Sequence, residues 1–160
     1  MLLYLVRHAD ANSHESDPQR GLSEKGRRDI AGVAQHLARA GVKVDRIYHS
    51  SKLRAMQTAS VLRNAINPIA RIEQADDLQP MDNPLLWAAR LDEMACEGVE
   101  DYVMVVGHLP HICLLSAALL ACDAKTVPLI FETAAVVCLE SDPDHGSWHM
   151  RWMITPEVTP

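Results

Sequence analysis

Two arginines and two histidines in this sequence stand just beyond short apolar runs, where a strand would deliver a side chain to the rim of a sheet. Arg7 and His8 follow Leu2 to Val6. His49, Ser50 and Ser51 follow Val44 to Tyr48, with Arg54 shortly after. Gly107 and His108 follow Tyr102 to Val106. An unprotonated imidazole is a nucleophile or base, and guanidinium presents a planar fork of donors matched to phosphoryl oxygens. Brought together near helix N-termini, which add backbone N–H groups and a positive dipole end, these four side chains make an anion site that suits phosphate best. Other routes lack their residues. There is no G-x-x-x-x-G-K-[ST] or G-x-G-x-x-G loop, and Gly107-His108-Leu109-Pro110-His111 lacks the glutamate and helical spacing of a zinc-binding H-E-x-x-H.

Positioning these groups needs a particular set of elements. Leu2 to Val6, Val44 to Tyr48, Ile69 to Ile72 and Tyr102 to Val106 read as strands, the last an unbroken apolar run suited to a central parallel strand covered on both faces. Helices are predicted between them. Ile30, Val33, Ala34 and Leu37 share one face of the first, with Ser23 as N-cap and Gly41 as its stop. Lys52 to Ile66 makes the second, Pro84 opens the third, and an almost wholly apolar fourth runs from Pro110 to Leu120. Ala134 to Leu139 and Trp148 to Ile154 form a closing hairpin, on which Trp148, Met150 and Trp152 are expected to share one face. The prediction is one α/β domain over residues 1–160, a three-layer α/β/α sandwich with a mostly parallel sheet and a C-terminal hairpin. Ligands of such sheets sit beyond the carboxyl ends of the strands, where all four side chains fall.

Four segments carry a family resemblance. Leu5-Val6-Arg7-His8-Ala9-Asp10 resembles the Arg-His-Gly motif of the histidine phosphatase (phosphoglycerate-mutase-like) superfamily. Leu22-Ser23-Glu24-Lys25-Gly26 matches its Leu-Thr-x-x-Gly, Ser50 to Ala59 its Ser-Pro-x-x-Arg-Ala-x-Gln-Thr-Ala, and Val106 to Pro110 its second-histidine motif. Within the superfamily the chain is most similar to the short SixA-type phosphohistidine phosphatases, including Phe131-Glu132-Thr133-Ala134-Ala135 before the hairpin. The resemblance implies that His8 is a nucleophile forming a phosphohistidine intermediate, with Arg7, Arg54 and His108 holding the phosphoryl oxygens. His49 is expected beside them in substrate binding. The pattern departs at Ala9 for Gly, at Ser51 for Pro, and at Leu78-Gln79-Pro80-Met81-Asp82, where mutase-like members carry a proton-donating Glu. Asp17 is the expected substitute, ahead of Asp10 and Asp82. A phosphohistidine whose second ring nitrogen is protonated leaves as neutral imidazole and needs little help from an acid.

The remaining expectations follow from composition. The chain has 160 residues, 48% hydrophobic and 22% charged, with a formal charge of −6. These values exclude intrinsic disorder, and no apolar run is long enough for a membrane helix. An acidic chain with few aromatics is a poor nucleic-acid surface. Cys96, Cys113, Cys122 and Cys138 lack C-x-x-C spacing and are expected as small buried hydrophobes, and the N-terminus lacks signal-peptide character, so the cytoplasm is the expected compartment. His111 is expected near the rim. The resulting reading is a metal-independent enzyme without cofactor that dephosphorylates a phosphohistidine-containing protein, with phosphate as product and competitive ligand and no nucleic-acid or membrane partner. A small-molecule phosphomonoesterase of the same superfamily and a non-catalytic phosphoprotein-binding module are the alternatives.

Overall fold

Strands and helices alternate as the periodicity requires: β1 (Leu2–Arg7), α1 (Glu24–Arg39), β2 (Arg46–His49), α2 (Leu53–Ile66), β3 (Arg71–Gln74), α3 (Pro84–Glu97), β4 (Tyr102–Gly107), α4 (His111–Leu119), β5 (Val136–Asp142) and β6 (Ser147–Ile154). The computed structural model describes residues 1–98, 100–120, 129–142 and 144–159. The strands form one sheet in the order β3-β2-β4-β1-β5-β6. β3, β2, β4 and β1 run parallel, and β5 and β6 are the antiparallel closing hairpin.

Alternation along β1 divides the core. Tyr4 and Val6 face a layer with Ile30, Val33 and Leu37 of α1 and Ala55, Ala59 and Leu62 of α2. Leu3 and Leu5 face Trp87 and Leu91 of α3 and Ile112 and Leu115 of α4. Two helices thus cover each face, giving the expected three layers. β4 has the same double burial, which is why its sequence is apolar at every position up to Gly107. No helix of the described residues is long and apolar enough to cross a membrane.

Several expectations shift. β2 starts two residues later than predicted and takes in His49, while β3 is displaced to Arg71–Gln74 at the exposed sheet edge, where few apolar residues mark it. Trp148 and Trp152 do not share a face. Cys138 pairs with Trp152 but the adjacent Leu139 pairs with Met150, so Arg151 is bulged out and the alternation reverses. Trp148 joins the layer of α3 and α4 and donates from Nε1 to Asp92 (2.7 Å). Trp152 packs on the other face against Tyr4, with ring centroids 5.9 Å apart. Cys96 is exposed rather than buried, on the outer side of α3, and Cys122 lies outside the described residues. His111 is fully buried in the first turn of α4, close enough to His108 to act on that ring.

Candidate active site

The strand order places β2, β4 and β1 side by side. Arg7 is in register with Gly107, and His49 with Val106. The three carboxyl ends therefore meet along one stretch of sheet edge, and right-handed parallel connections put the start of the following helix beside each. The His8 N–H donates to the Gly107 carbonyl (3.0 Å), continuing the β1–β4 ladder past the end of the strand.

His8 sits at the centre. Its Nδ1 donates to the Ala9 carbonyl (2.7 Å), and its Nε2 accepts from Nε of Arg54 (3.2 Å). This pairing assigns the proton to Nδ1 and leaves the lone pair on Nε2. Burial lowers the His8 pKa to about 4, helped by the charges of Arg54, Arg7 and Arg20, against the opposing hydrogen bond to Ala9. The imidazole is therefore neutral and nucleophilic at physiological pH. The His108 ring lies 4.8 Å from it, tilted by 56°. His108 Nε2 meets Ser50 Oγ at 2.5 Å, and burial together with the charge of His8 and Arg54 lowers its pKa to about 3. Arg7 donates from Nη1 to the Phe131 carbonyl (2.7 Å) and feels the carboxylates of Asp10 and Glu132. Arg7 Nε and His108 Nδ1 are buried without a hydrogen-bond partner among the described residues. Buried nitrogens of this kind are completed by a ligand that brings acceptors or donors of its own.

The structure thus brings Arg7, His8, Arg54 and His108 together. His49 is buried at the end of β2, and its Nδ1 donates to the Ser50 carbonyl (2.8 Å), so it shapes the loop that carries Ser50. Asp17 has partners of its own. Its carboxylate accepts from the Gly21 N–H (2.7 Å) and the Gln19 N–H (3.0 Å), and the bond from Gly21 leads in lowering its pKa. It is held ionised, with no proton to give near neutrality. Asp10 accepts from the Ser23 hydroxyl (2.5 Å), and Asp82 from the Gln79 N–H (2.6 Å). Among the described residues no carboxylate is hydrogen-bonded to His8, His108 or Arg54, and no group of three or more His, Cys, Asp or Glu is arranged to hold a metal ion.

Three residues of the Ser50 to Ala59 motif, given no role from the sequence, support the site. Ser50, with no exposed surface, is the partner of His108. Thr58 accepts from the Ala9 N–H (3.0 Å) and donates to the Arg54 carbonyl (2.7 Å), tying the loop after His8 to the turn that carries Arg54. Gln57 accepts from the Leu22 N–H (2.7 Å), tying the entry to α1 to the same turn. The motif carried these residue types without their partners; helical spacing adds that Thr58 lies one turn after Arg54, so both emerge on the same face of α2.

The low pKa values have a measurable consequence. An NMR titration of the His8 ring should show a midpoint near pH 4, where an ordinary histidine gives about 6.5. A midpoint near the ordinary value would contradict the buried neutral imidazole. Because the unfolded chain binds these protons more readily, stability from His8 and His108 is fully present above about pH 6.5 and is lost as pH falls through the folded-state values.

Comparison with known proteins identifies the family of the chain. Residues 3–97 match the family model described as Histidine phosphatase superfamily (branch 1). The chain is 31% identical over 157 residues to the phosphohistidine phosphatase SixA of Escherichia coli K12, covering 98% of this chain and 94% of that protein. A solved structure of the protein histidine phosphatase SixA complexed with tungstate superposes with a TM-score of 0.86 at 29% identity, covering 98% of this chain and 97% of that one. The α-ribazole phosphatase of Shigella flexneri, at 14% identity and a TM-score of 0.74 over 98% and 97% of the two chains, shares the fold.

Proposed function

The chain belongs to the histidine phosphatase superfamily, and from that premise we propose that it hydrolyses phosphohistidine on a signalling or phosphotransfer protein, with His8 as nucleophile. That it is a phosphatase is supported by the membership together with the 31% identity to SixA over 98% of the chain. The finer reading rests on one observation: a His8 imidazole with its lone pair toward Arg54 and its ring 4.8 Å from that of His108, in a pocket where no described carboxylate makes a hydrogen bond to any of the three. The tungstate bound by the related SixA, a tetrahedral oxyanion like phosphate, supports a phosphoryl group as the ligand of this pocket.

The chemistry balances without an acid. His8 Nε2 attacks phosphorus as the P–N bond to the substrate imidazole breaks. That imidazole keeps the proton on its other nitrogen and leaves neutral. Water then attacks the phosphorylated His8, the Nε2–P bond breaks, and phosphate departs with the water's protons. The Ala9 carbonyl holds the Nδ1 proton throughout, so His8 is itself a neutral leaving group in the second step. Arg7, Arg54 and His108 act on the equatorial oxygens, where charge is carried in transfer. An alcohol phosphate, by contrast, leaves as an alkoxide and requires a donor.

Shape supports a protein substrate. Between α2 and α3, residues 67–83 form a turn at Asn67, the strand β3 and a loop pinned down by bonds from Trp87 Nε1 to the Asp76 carbonyl and from Gln79 Nε2 to Ser51. Among the described residues none of this segment is hydrogen-bonded to His8. The free thiols of Cys96, Cys113 and Cys138 suit the proposed cytoplasmic location. The reading is tested by comparing kcat/KM for a phosphohistidine-bearing phosphotransfer domain with that for sugar phosphates and an aryl phosphate, with and without chelator. At least about 100-fold preference for phosphohistidine is expected, that is roughly 2.7 kcal/mol of discrimination, unchanged by chelator. Equal efficiency on sugar phosphates would favour the phosphomonoesterase, no turnover the binding module, and loss of turnover with chelator a metal enzyme.

A further inference from the structure

The loop between β1 and α1 is built to display Arg20. Arg20 adopts φ of 51°, a left-handed conformation that non-glycine residues with long side chains rarely take. Strain of this kind persists where surrounding bonds enforce it, and it concentrates at functional sites. Here Asp17 enforces it. Its two carboxylate oxygens accept from the N–H groups on either side, Gln19 at 3.0 Å and Gly21 at 2.7 Å, while the Arg20 N–H donates to the Asp17 carbonyl (2.8 Å). Asn12 closes the loop, donating its N–H to the Gly21 carbonyl (2.9 Å) and accepting from Arg20 Nε at its own carbonyl (3.2 Å).

The braced loop rests on the turn that carries Arg54. A Cβ added to Gly21 would lie 3.2 Å from Gln57 Oε1 and 3.4 Å from Leu53 Cδ2, atoms on either side of Arg54 in sequence. The Leu22 N–H is anchored on Gln57. Arg20 is accordingly close enough for its charge to lower the pKa of both Arg54 and His8. Among the described residues neither Arg20 nor Arg54 forms an ion pair, whereas Arg7 has the carboxylates of Asp10 and Glu132 in range. Two guanidinium groups without ion pairs, within electrostatic range of each other, match the double negative charge of a phosphoryl group. The Arg20 Nε is occupied by Asn12, which orients the guanidinium plane and leaves its Nη edge to take an oxygen.

We propose that Arg20 is a third guanidinium ligand of the phosphoryl group, and that Asp17 is the positioning residue that holds the loop in the shape presenting it. The inference rests on the reading of the pocket as a phosphoryl site. It gives Asp17 a purpose that requires it to stay ionised, where a proton donor would have to be protonated.

The test uses inorganic phosphate as probe, with its competitive inhibition constant and KM for the phosphohistidine domain measured on the full chain. Asparagine tolerates left-handed backbone, so Arg20→Asn keeps the loop shape and removes only the guanidinium. Arg20→Asn should weaken phosphate inhibition and raise KM by about 10-fold to 100-fold, the range for a lost charge-assisted hydrogen bond, with Tm unchanged or higher. Arg20→Lys should recover part of the loss. Asp17→Asn should weaken phosphate binding in the native background and add little in the Arg20→Asn background, since it acts through Arg20. Native phosphate affinity in Arg20→Asn, or fully additive losses in the double variant, would overturn the proposal. If the native chain fails to hydrolyse phosphohistidine while Arg20→Asn still loses phosphate, the substrate reading falls and this one stands.

Discussion

Replacing His8 with alanine is expected to lower kcat on phosphohistidine by on the order of 10⁴ or more while leaving the fold intact. The size of the effect follows from the division of labour in the pocket. In the proposed mechanism Arg7, Arg54 and His108 stabilise charge, but none of them offers a lone pair placed for attack. Arg54 is permanently cationic, and His108 Nε2 is taken up with Ser50. Alanine leaves no nucleophile, and direct attack by water must replace two easier steps. Near neutrality the fold should persist with a modest loss of stability, because the buried imidazole is already uncharged there and its removal costs its packing and its bonds to Ala9 and Arg54. The decisive measurement is single-turnover labelling with a radiolabelled phosphohistidine donor. The native chain should form an acid-labile, alkali-stable phosphoenzyme, and His8→Ala should form none. A variant keeping even a tenth of native turnover would remove His8 from the mechanism.

The second large effect is structural and reaches the same site from a distance. Gly26→Ala is expected to destabilise the chain by about 3 kcal/mol or more, lowering Tm by roughly 6 to 12 °C. Gly26 lies in the first turn of α1, and a Cβ there would stand only 2.0 Å from the Asp10 carbonyl oxygen and 2.8 Å from its carbon. Both are backbone atoms, so no rotamer change relieves the overlap. The helix must move away from the turn after His8, which disturbs the Ser23 hydroxyl's bonds to Asp10 and from the Gly26 N–H. On helix propensity alone the substitution should stabilise by about 1 kcal/mol. The sign of the shift in a thermal melt therefore separates the two effects, and a raised Tm would mean that α1 does not pack against Asp10 as described. Because the displaced turn also holds the Ala9 N–H against Thr58, activity should fall along with stability.

These two positions show how differently parts of the chain could be read in advance. Gly26 was legible only as a member of a motif; its reason is the close approach of a helix to a turn sixteen positions back, which no local pattern reveals. The strands of the sheet centre were legible because burial on both faces forces apolar residues at every position. β3, at the edge, carries almost no such demand and was misplaced. The bulge at Arg151 was invisible because two tryptophans at alternate positions give the same pattern whether or not a residue between them is squeezed out. His111 was read as a helix residue near the rim; its burial depends on remote segments packed against the first turn of α4, those carrying Asp77 and Asp82 among them.

Order along the chain was enough to determine the α/β class, the four candidate site residues and the edge of the sheet they occupy, because each follows a strand and parallel strands share a carboxyl edge. Tertiary structure decided what those residues can do. The tautomer of His8, the pairing of His108 with Ser50 across 58 positions, and the bond from Ala9 to Thr58 across 49 depend on β4 lying between β1 and β2. The depressed pKa values depend on how much solvent the surrounding layers exclude. A sequence states which groups are available. Their distances, and therefore their protonation and partners, exist only once remote segments are packed together.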